Sequence, residues 1–199
     1  MEFPAALIFD CDGTLVDTMP AHYEAWVATL SRYGIPFSED QFYAWGGWPT
    51  RKVAETLLSQ AGVPLDPEQL AREKEAAFER GAHLVRPIEP VVRVAREHRG
   101  RRPLAVATGG VRHVVEPVLA RLGLLDWFET IVTSDDVTRY KPEPDVYLEA
   151  ARRLGVPPAG CLVYEDTEPG LKAARRAGMS CIDVRTLYTP RRVTPRAVS

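Results

Sequence analysis

Two aspartates, Asp10 and Asp12, end an apolar run near the start of the chain and are separated by a single cysteine. Carboxylates this close repel each other, and one of them keeps its proton unless a cation lies between them. The pair could therefore serve metal binding or acid–base catalysis. The alternative is a simple turn, in which an Asp-Gly step bends the chain at Gly13. The local sequence leaves both interpretations open.

A second acidic pair, Glu165 and Asp166, follows the apolar run "CLVY". If both runs are strands of one sheet, four carboxylates meet at one edge, and such a cluster repels itself unless it holds a divalent cation. Ligation by oxygen alone predicts Mg²⁺ rather than zinc, which prefers nitrogen and sulfur. The alternative is that the pair stabilises the positive end of a helix that begins near Pro169.

Two further stretches could bind an anion. Thr108 is followed by Gly109 and Gly110, and a hydroxyl beside the backbone N–H groups of two glycines makes a small anion site at a helix start. Lys141 stands before a proline-stiffened segment that leads into another helix, where its charge could reach a phosphate. Taken singly, an ordinary turn and a surface lysine are the simpler interpretations. The sequence lacks the GxxxxGK[ST] pattern of a nucleotide-binding P-loop.

Five short apolar runs predict the fold that would position these residues. Continuous apolar runs of this length suit strands that are buried on both faces of a parallel sheet. Helical segments separate the later runs, and this alternation predicts an α/β fold with a Rossmann-like parallel sheet. Ligands of such sheets bind beyond the carboxyl ends of the strands, where the polar residues fall. The runs are "AALIFD", "LAVATGG", "TIVTSDD", "CLVYEDT" and "CIDVR".

The segment 16–87 breaks this alternation, because it contains only helical patterns of apolar residues. We predict that 16–87 is an inserted helical cap domain standing over an α/β core formed by 1–15 and 88–199. The hinges are expected near Val16–Thr18, which includes Asp17, and near Leu84–Ile88. The last stretch, "TLYTPRRVTPRAVS", is predicted to be a loosely held tail without a function.

Composition narrows the class of protein. The chain has 199 residues and a net charge of −2, which gives no reason to expect a nucleic-acid partner. No stretch has the run of apolar residues that a membrane helix needs. The three cysteines form no CxxC pair and lie in or beside apolar runs, which predicts buried, reduced thiols. We therefore expect a cytoplasmic, monomeric enzyme that binds neither nucleic acid nor membrane.

The polar motifs together resemble those of the haloacid dehalogenase-like superfamily. "DCDGT", "ATG", "KPEPD" and "YEDTEPGLKAARRAG" occur in the order and approximate spacing of its sequence elements, and the match covers nearly the whole chain. Within the superfamily the chain is similar to the branch of sugar-phosphate phosphatases and β-phosphoglucomutases, which carry a helical cap after the first strand. The presence of Asp12 argues against a dehalogenase, which needs only the first aspartate.

This resemblance implies a role for each core residue. Asp10 would be the nucleophile that forms an aspartyl-phosphate, and Asp12 would act first as general acid and then as general base. Thr108 and Lys141 would bind the transferring phosphoryl group, with Gly109 beside them. The implied ligands of Mg²⁺ are Asp10, the backbone carbonyl of Asp12, Asp166 and Glu165.

The predicted cap supplies candidates for recognition of the substrate. His22 and Trp26 lie four residues apart and therefore share one helix face. Lys74 matches a cap lysine of the mutase branch by resemblance. Core packing is the alternative interpretation of His22 and Trp26. The candidates contributed by the glycine-rich stretch "GGWPTRK" are Trp48, Thr50 and Arg51.

The resemblance implies a Mg²⁺-dependent phosphatase acting on a small sugar phosphate. Three further strings resemble bacterial fructose-1-phosphate phosphatases, so fructose 1-phosphate is the expected substrate. A β-phosphoglucomutase is the first alternative, because His22 and Lys74 are compatible with it. A phospho-accepting, receiver-like signalling domain is the second, but it leaves the helical insertion and Asp12 unexplained. The three strings are "LDPEQLAREKEAA", "RGRRPLAVATG" and "AGMSCIDVR".

Overall fold

The computed structural model describes residues 4–193, so the last part of the predicted tail, 194–199, lies outside the described residues. The strands are β1 (Ala6–Phe9), β2 (Leu104–Ala107), β3 (Thr130–Val132), β4 (Cys161–Glu165) and β5 (Ser180–Asp183). All are parallel in one sheet of order β3-β2-β1-β4-β5. Every residue of β1 and β2 is buried, as parallel strands covered on both faces require. The predicted α/β class is confirmed.

Helices occupy most of the described chain between the strands. The α-helices are α1 (Met19–Leu30), α2 (Glu39–Ala44), α3 (Thr50–Ala61), α4 (Pro67–Gly81), α5 (Glu89–His98), α6 (Arg112–Arg121), α7 (Asp145–Leu154) and α8 (Glu168–Arg176). Short 3₁₀ helices occupy Ser31–Tyr33, Ala82–Leu84, Leu125–Trp127, Ser134–Asp136, Pro158–Gly160 and Val184–Thr186. α7 ends at Gly155, whose φ of +67° favours a residue without a Cβ.

Two expectations from composition can be compared with the described residues. None of the helices within 4–193 combines the length and the apolar character of a membrane span. Cys11, Cys161 and Cys181 are free thiols, of which the first two are buried and the third is half-buried. The expected burial therefore holds for two cysteines, while Cys181 lies on an edge strand of the sheet.

Hydrophobic clusters cover both faces of the sheet. One packs Leu7 and Phe9 against α5 and α6, and the other packs Ala6 and Ile8 against α7 and α8. The alternation follows from the geometry of a strand, whose successive side chains point to opposite faces. A third cluster consists of residues within 19–71, so helices α1–α4 have a core of their own. This separate core supports the proposal that the helical segment forms a cap domain.

The two linkers that join the sheet to helices α1–α4 lie side by side. The Asp17 N–H donates a hydrogen bond to the Arg86 carbonyl at 2.8 Å. Val16 and Pro87 form an antiparallel bridge next to it. Both predicted hinges are therefore paired with each other, so a movement of the cap would bend them together.

The C-terminal segment up to Val193 is not the loosely held tail that its composition predicts. The Arg191 guanidinium pairs with the carboxylate of Asp17 in the first predicted hinge. The Arg191 carbonyl accepts a hydrogen bond from the Tyr43 hydroxyl of α2 at 2.6 Å. Arg192 forms ion pairs with acids of the same helix. The prediction was wrong because acids distant in sequence, on the hinge and on α2, face these arginines.

We expect the double variant Arg191→Ala/Arg192→Ala to be less stable than the unchanged chain. Asp17 is 6% exposed, and a buried carboxylate that loses its partner costs about 2 kcal/mol. A loss of this size lowers the melting temperature by about 4–8 °C. Thermal denaturation followed by circular dichroism measures the shift, with Arg93→Ala on the exposed face of α5 as the control. If the double variant melts together with the control, the C-terminal contacts do not stabilise the fold.

Candidate active site

The predicted catalytic residues of the core meet at the carboxyl edge of the sheet. Asp10 directly follows β1, Thr108 directly follows β2, and Glu165 is the last residue of β4. These three strands are neighbours and parallel, so they end at the same edge. Lys141 reaches the same place from the loop before α7. The fold thus brings together residues that are up to 155 positions apart in the sequence (Asp10 to Glu165).

Lys141 is a buried cation between two acids. Its Nζ lies 2.6 Å from Asp10 Oδ1 and 2.7 Å from Glu165 Oε2, and it donates a third hydrogen bond to the Ala107 carbonyl at 3.3 Å. Burial disfavours the charged form of a lysine, but Asp10 and Glu165 outweigh burial and raise the pKa of Lys141 well above its usual value. Lys141 therefore keeps its positive charge in the free site.

Glu165 holds Lys141 in place and is itself held by several donors. Its Oε1 accepts hydrogen bonds from the Asp166 N–H and from the N–H and hydroxyl of Thr167, at 2.8–3.0 Å. Its Oε2 accepts from Lys141 and from the Tyr147 hydroxyl, the latter at 2.5 Å. A carboxylate offers about four lone pairs, so these contacts occupy all of its positions for accepting hydrogen bonds. Glu165 is therefore better suited to positioning Lys141 than to direct ligation of a metal.

Asp10, Glu165 and Asp166 form an acidic cluster in which one oxygen of each residue lies within 4.8 Å of the others. Burial first, and the charge of Glu165 second, raise the pKa of Asp10 to about 8. The same two causes raise the pKa of Asp166 well above its usual value. A raised pKa shows that the surroundings of a carboxylate do not stabilise its negative charge. A hard cation that prefers oxygen ligands would stabilise that charge. The cluster therefore fits a divalent metal ion.

Asp12 is connected to the helices above the sheet by a chain of hydrogen bonds. Its Oδ1 accepts from the Thr18 hydroxyl at 2.6 Å and lies 3.3 Å from His22 Nε2. On the other side of the imidazole, His22 Nδ1 lies 2.8 Å from Lys74 Nζ. Because an ammonium group only donates, Nδ1 must accept, and Nε2 carries the proton that faces Asp12. This arrangement holds His22 in its neutral form.

The groups around Asp12 set its protonation. Burial disfavours the carboxylate, but His22, the Thr18 hydroxyl and Lys74 outweigh burial and lower the pKa of Asp12 to about 2. Burial and the charge of Lys74 lower the pKa of His22. Burial also lowers the pKa of Lys74 to about 8. Asp12 is therefore ionised in the free site, although Asp10 lies close to it in the chain.

An open cavity lies between the sheet edge and helices α1–α4. Its lining of aromatic and apolar side chains with a few polar groups is that of a site for a small molecule. Lys141, Glu165 and Asp166 are not among its lining residues and lie next to Asp10. The predicted site residues that line the cavity are Asp10, Asp12, His22, Trp26, Trp48, Thr50, Lys74, Thr108 and Gly109.

Arg51 is the predicted substrate-binding residue that the structure does not bring to the cavity. α3 begins at Thr50, which lines the cavity, and the next residue of a helix points about 100° away. The Arg51 side chain is 74% exposed, and its Nε lies 3.2 Å from Glu68 Oε2 on α4. The expectation for Arg51 is therefore corrected: this side chain pairs with the surface of α4.

Aromatic side chains form one wall of the cavity. The rings of Trp45 and Trp48 are stacked, with centroids 5.2 Å apart, and Phe37 and Phe42 pack nearby. Trp26 is 2% exposed and also lines the cavity, so it serves core packing and the site together. The sequence did not identify Trp45, Phe37 or Phe42, because aromatic residues in helices and in the loops beside them resemble core residues until the fold shows which of them face a cavity.

Gly170 has no Cβ, and the Glu165 carboxylate occupies the space where a Cβ would lie. A Cβ at this position of α8 would lie 1.9 Å from Glu165 Oε2. We expect Gly170→Ala to push the carboxylate away from Lys141 and Tyr147, to destabilise the fold by about 2 kcal/mol and to lower kcat about tenfold or more. Thermal denaturation and phosphate release measure the two effects.

The control for this prediction is Gly81→Ala, at the end of α4, where a Cβ meets nothing within 4 Å. Alanine favours a helix more than glycine does, so the control is expected to be as stable as the unchanged chain or slightly more stable. Equal stability and activity of the two variants would contradict the role given to Gly170.

The sheet, its acidic edge and the lysine beside Asp10 are features of one family of enzymes. The chain belongs to the haloacid dehalogenase-like hydrolases, and the sequence model of that family matches residues 4–178. The family predicted from the sequence motifs is thereby confirmed.

Individual relatives show which members of this family the chain is similar to. Fructose-1-phosphate phosphatase YqaB of Escherichia coli K12 is 44% identical over 184 residues, which cover 92% of this chain and 97% of that protein. β-Phosphoglucomutase of Bacillus subtilis 168 is 27% identical, over 90% of this chain and 82% of that protein. The crystal structure of CbbY from Rhodobacter sphaeroides in complex with phosphate has a TM-score of 0.81 at 27% identity, over 90% of this chain and 85% of that chain.

Proposed function

We propose that this chain is a Mg²⁺-dependent phosphatase that hydrolyses a small sugar phosphate through an aspartyl-phosphate on Asp10. The observation that carries the proposal is the position of the Asp10 carboxylate, which lines the cavity and lies 2.6 Å from the Lys141 ammonium. A fixed carboxylate beside a fixed cation is what nucleophilic attack on a phosphoryl group needs. The 44% identity to a fructose-1-phosphate phosphatase supports the same reaction class.

The first half-reaction transfers the phosphoryl group to the enzyme. Asp10 attacks the phosphorus atom, and the bond between phosphorus and the sugar oxygen breaks. The Thr108 Oγ accepts a hydrogen bond from the Gly110 N–H at 3.0 Å, so its own proton is free to bind a phosphoryl oxygen. Lys141 favours the ionised form of Asp10, which burial and Glu165 disfavour, and it offsets the charge of the transferring group.

The acids next to Asp10 supply the proposed metal site. We assign Mg²⁺ to Asp10 and Asp166, together with the backbone carbonyl of Asp12 that the family resemblance implies. When bound, the ion neutralises negative charge on the transferring phosphoryl group. The Thr14 hydroxyl orients Asp166 through a 2.9 Å hydrogen bond. Glu165 adds negative charge near the proposed metal site and positions Lys141.

Asp12 moves the proton in both half-reactions. With a pKa of about 2 it is ionised in the free site, so it can take a proton from the water that attacks phosphorylated Asp10. For the first half-reaction it must carry a proton. A phosphate monoester has a second pKa near 6, so a monoanionic substrate can bring that proton, which Asp12 passes to the leaving sugar oxygen. Thr18 and His22 hold the carboxylate in place.

The cavity wall supports a sugar as the leaving group, with fructose 1-phosphate as the proposed substrate. The stacked rings of Trp45 and Trp48 offer an apolar face on which the C–H face of a sugar can pack, while the few polar lining groups orient its hydroxyls. We also propose that the enzyme acts as a monomer in the cytoplasm, where free thiols such as Cys11 remain reduced.

A β-phosphoglucomutase is the second candidate, because the contact between His22 and Lys74 beside Asp12 is compatible with both activities. The deciding experiment offers fructose 1-phosphate, β-glucose 1-phosphate and glucose 6-phosphate to the enzyme, with Mg²⁺ and with a chelator. We expect release of inorganic phosphate from fructose 1-phosphate, dependent on Mg²⁺. Conversion of β-glucose 1-phosphate to glucose 6-phosphate without release of phosphate would contradict the proposal in favour of the mutase.

A further inference from the structure

Glu75 is a buried carboxylate at the cavity that the proposed mechanism does not use. It follows Lys74 on α4, is 8% exposed and lines the same cavity as Asp10 and Thr108. Taking a carboxylate out of water costs free energy unless hydrogen-bond partners replace the water. The partners of Glu75 therefore indicate what this position could do.

Among residues 4–193, one contact at hydrogen-bond distance engages the Glu75 carboxylate. His113 Nε2, on α6, lies 3.3 Å from Glu75 Oε2, but the imidazole is 63% exposed. A carboxylate accepts about four hydrogen bonds, and the ring supplies at most one of them. Burial raises the pKa of Glu75, while the charges of Lys74 and His113 act in the opposite direction. Acceptor capacity therefore remains for a molecule in the cavity.

The cap side of the cavity offers little positive charge to a second anion. Among the described residues that line the cavity, Lys74 is the only lysine or arginine, and its Nζ lies 2.8 Å from His22 Nδ1. Arg51 points outward to Glu68. A phosphate or carboxylate at the far end of a substrate would thus approach the Glu75 carboxylate, while the nearby Lys74 and His113 already face Asp12 or Glu75. Sugar hydroxyls, in contrast, donate hydrogen bonds to a carboxylate.

We propose that Glu75 is a specificity-determining residue, which accepts hydrogen bonds from hydroxyl groups of the leaving sugar and disfavours substrates with a second anionic group. The inference rests on the proposed phosphatase activity and defines its substrates as polyhydroxylated monophosphates. One carboxylate would then provide both parts of specificity, attraction to the right substrate and repulsion of the wrong one.

The test measures kcat/KM with Mg²⁺ at neutral pH for fructose 1-phosphate, for fructose 1,6-bisphosphate and for p-nitrophenyl phosphate, which has no sugar hydroxyls. Glu75→Gln removes the charge at nearly constant shape. We expect it to lower the preference for the monophosphate over the bisphosphate about tenfold or more, and to change p-nitrophenyl phosphate hydrolysis less than about threefold. Glu75→Asp keeps the charge and should retain most of the preference.

His113→Gln is the matched control, because it breaks the ion pair and leaves the Glu75 carboxylate in place. We expect it to keep the preference for the monophosphate. If His113→Gln loses the preference as Glu75→Gln does, or if Glu75→Gln keeps it, the inference is overturned and Glu75 only joins α4 to α6. If the unchanged enzyme hydrolyses none of the three esters, the proposed phosphatase activity is overturned, and this inference with it.

Discussion

Replacement of Asp10 by asparagine is expected to reduce phosphate release by about 10⁴-fold or more, an effect typical of the loss of a catalytic nucleophile. An amide oxygen is a much weaker nucleophile than a carboxylate oxygen and does not form a stable acyl phosphate. The Asp10 carboxylate is also the group that Lys141 holds 2.6 Å from its ammonium at the cavity. Steady-state release of phosphate from fructose 1-phosphate with Mg²⁺ measures the loss. Asp126→Asn, at an exposed position of the 3₁₀ helix Leu125–Trp127, is the control.

The same variant separates loss of catalysis from loss of fold. Burial and neighbouring acids raise the pKa of Asp10 from 3.8 to about 8, so the folded state disfavours the charged carboxylate. Without metal, this group therefore costs stability as the pH rises from about 4 to 8. A neutral asparagine removes that cost. We expect metal-free Asp10→Asn to melt no lower than the unchanged chain at the upper end of this range. Activity retained by a well-folded variant would contradict the assigned role.

Replacement of Lys141 by methionine is expected to damage both stability and activity. The Lys141 side chain is 2% exposed and pairs with Asp10 and Glu165. Removal of one partner from a buried ion pair costs about 3–5 kcal/mol, which lowers the melting temperature by about 6–20 °C. Lys172→Met, at an exposed position of α8, is the control.

The stability of the Lys141→Met variant should increase when Mg²⁺ is added and when the pH is lowered. Added Mg²⁺ is expected to recover part of the lost stability, because a bound cation favours the folded state and offsets the remaining acids. Acid should also recover stability, since the raised pKa of Asp10 and Asp166 means that protonation favours the folded state. Melting curves at several Mg²⁺ concentrations and pH values test this. A variant that melts with the Lys172→Met control would contradict the buried charge balance described above.

The elements and the centre of the site were predictable from sequence for a physical reason. Parallel strands are apolar along their length and end at a polar edge, so Asp10, Thr108 and Glu165 mark both the strand ends and the candidate chemistry. Lys141 was less obvious from its own neighbourhood, because a lysine before two prolines also suits a surface loop. Only its place in a family pattern linked it to Asp10, and the 2.6 Å contact agrees with that link.

Contacts that depend on side-chain reach were not predictable. The Tyr147 hydroxyl on α7 donates a hydrogen bond to the Glu165 carboxylate. The sequence places Tyr147 on a helix but does not show that this helix packs beside Glu165. Arg51 and Glu75 have similar helical surroundings in sequence, yet one faces solvent and the other lines the cavity, since the rotation of a helix depends on tertiary packing. The contacts of Arg191 were not predicted for the same reason, because they depend on where Asp17 and α2 lie in the fold.

The most direct test of the aspartyl-phosphate uses Asp12→Asn with p-nitrophenyl phosphate and Mg²⁺. This ester has a leaving group that needs no general acid, whereas hydrolysis of the intermediate needs the base that the variant lacks. We predict a burst of one equivalent of nitrophenol followed by slow turnover. After an acid quench, mass spectrometry should find one phosphoryl group on Asp10. Release of nitrophenol without a burst, or a phosphoryl group on another residue, would contradict the central claim.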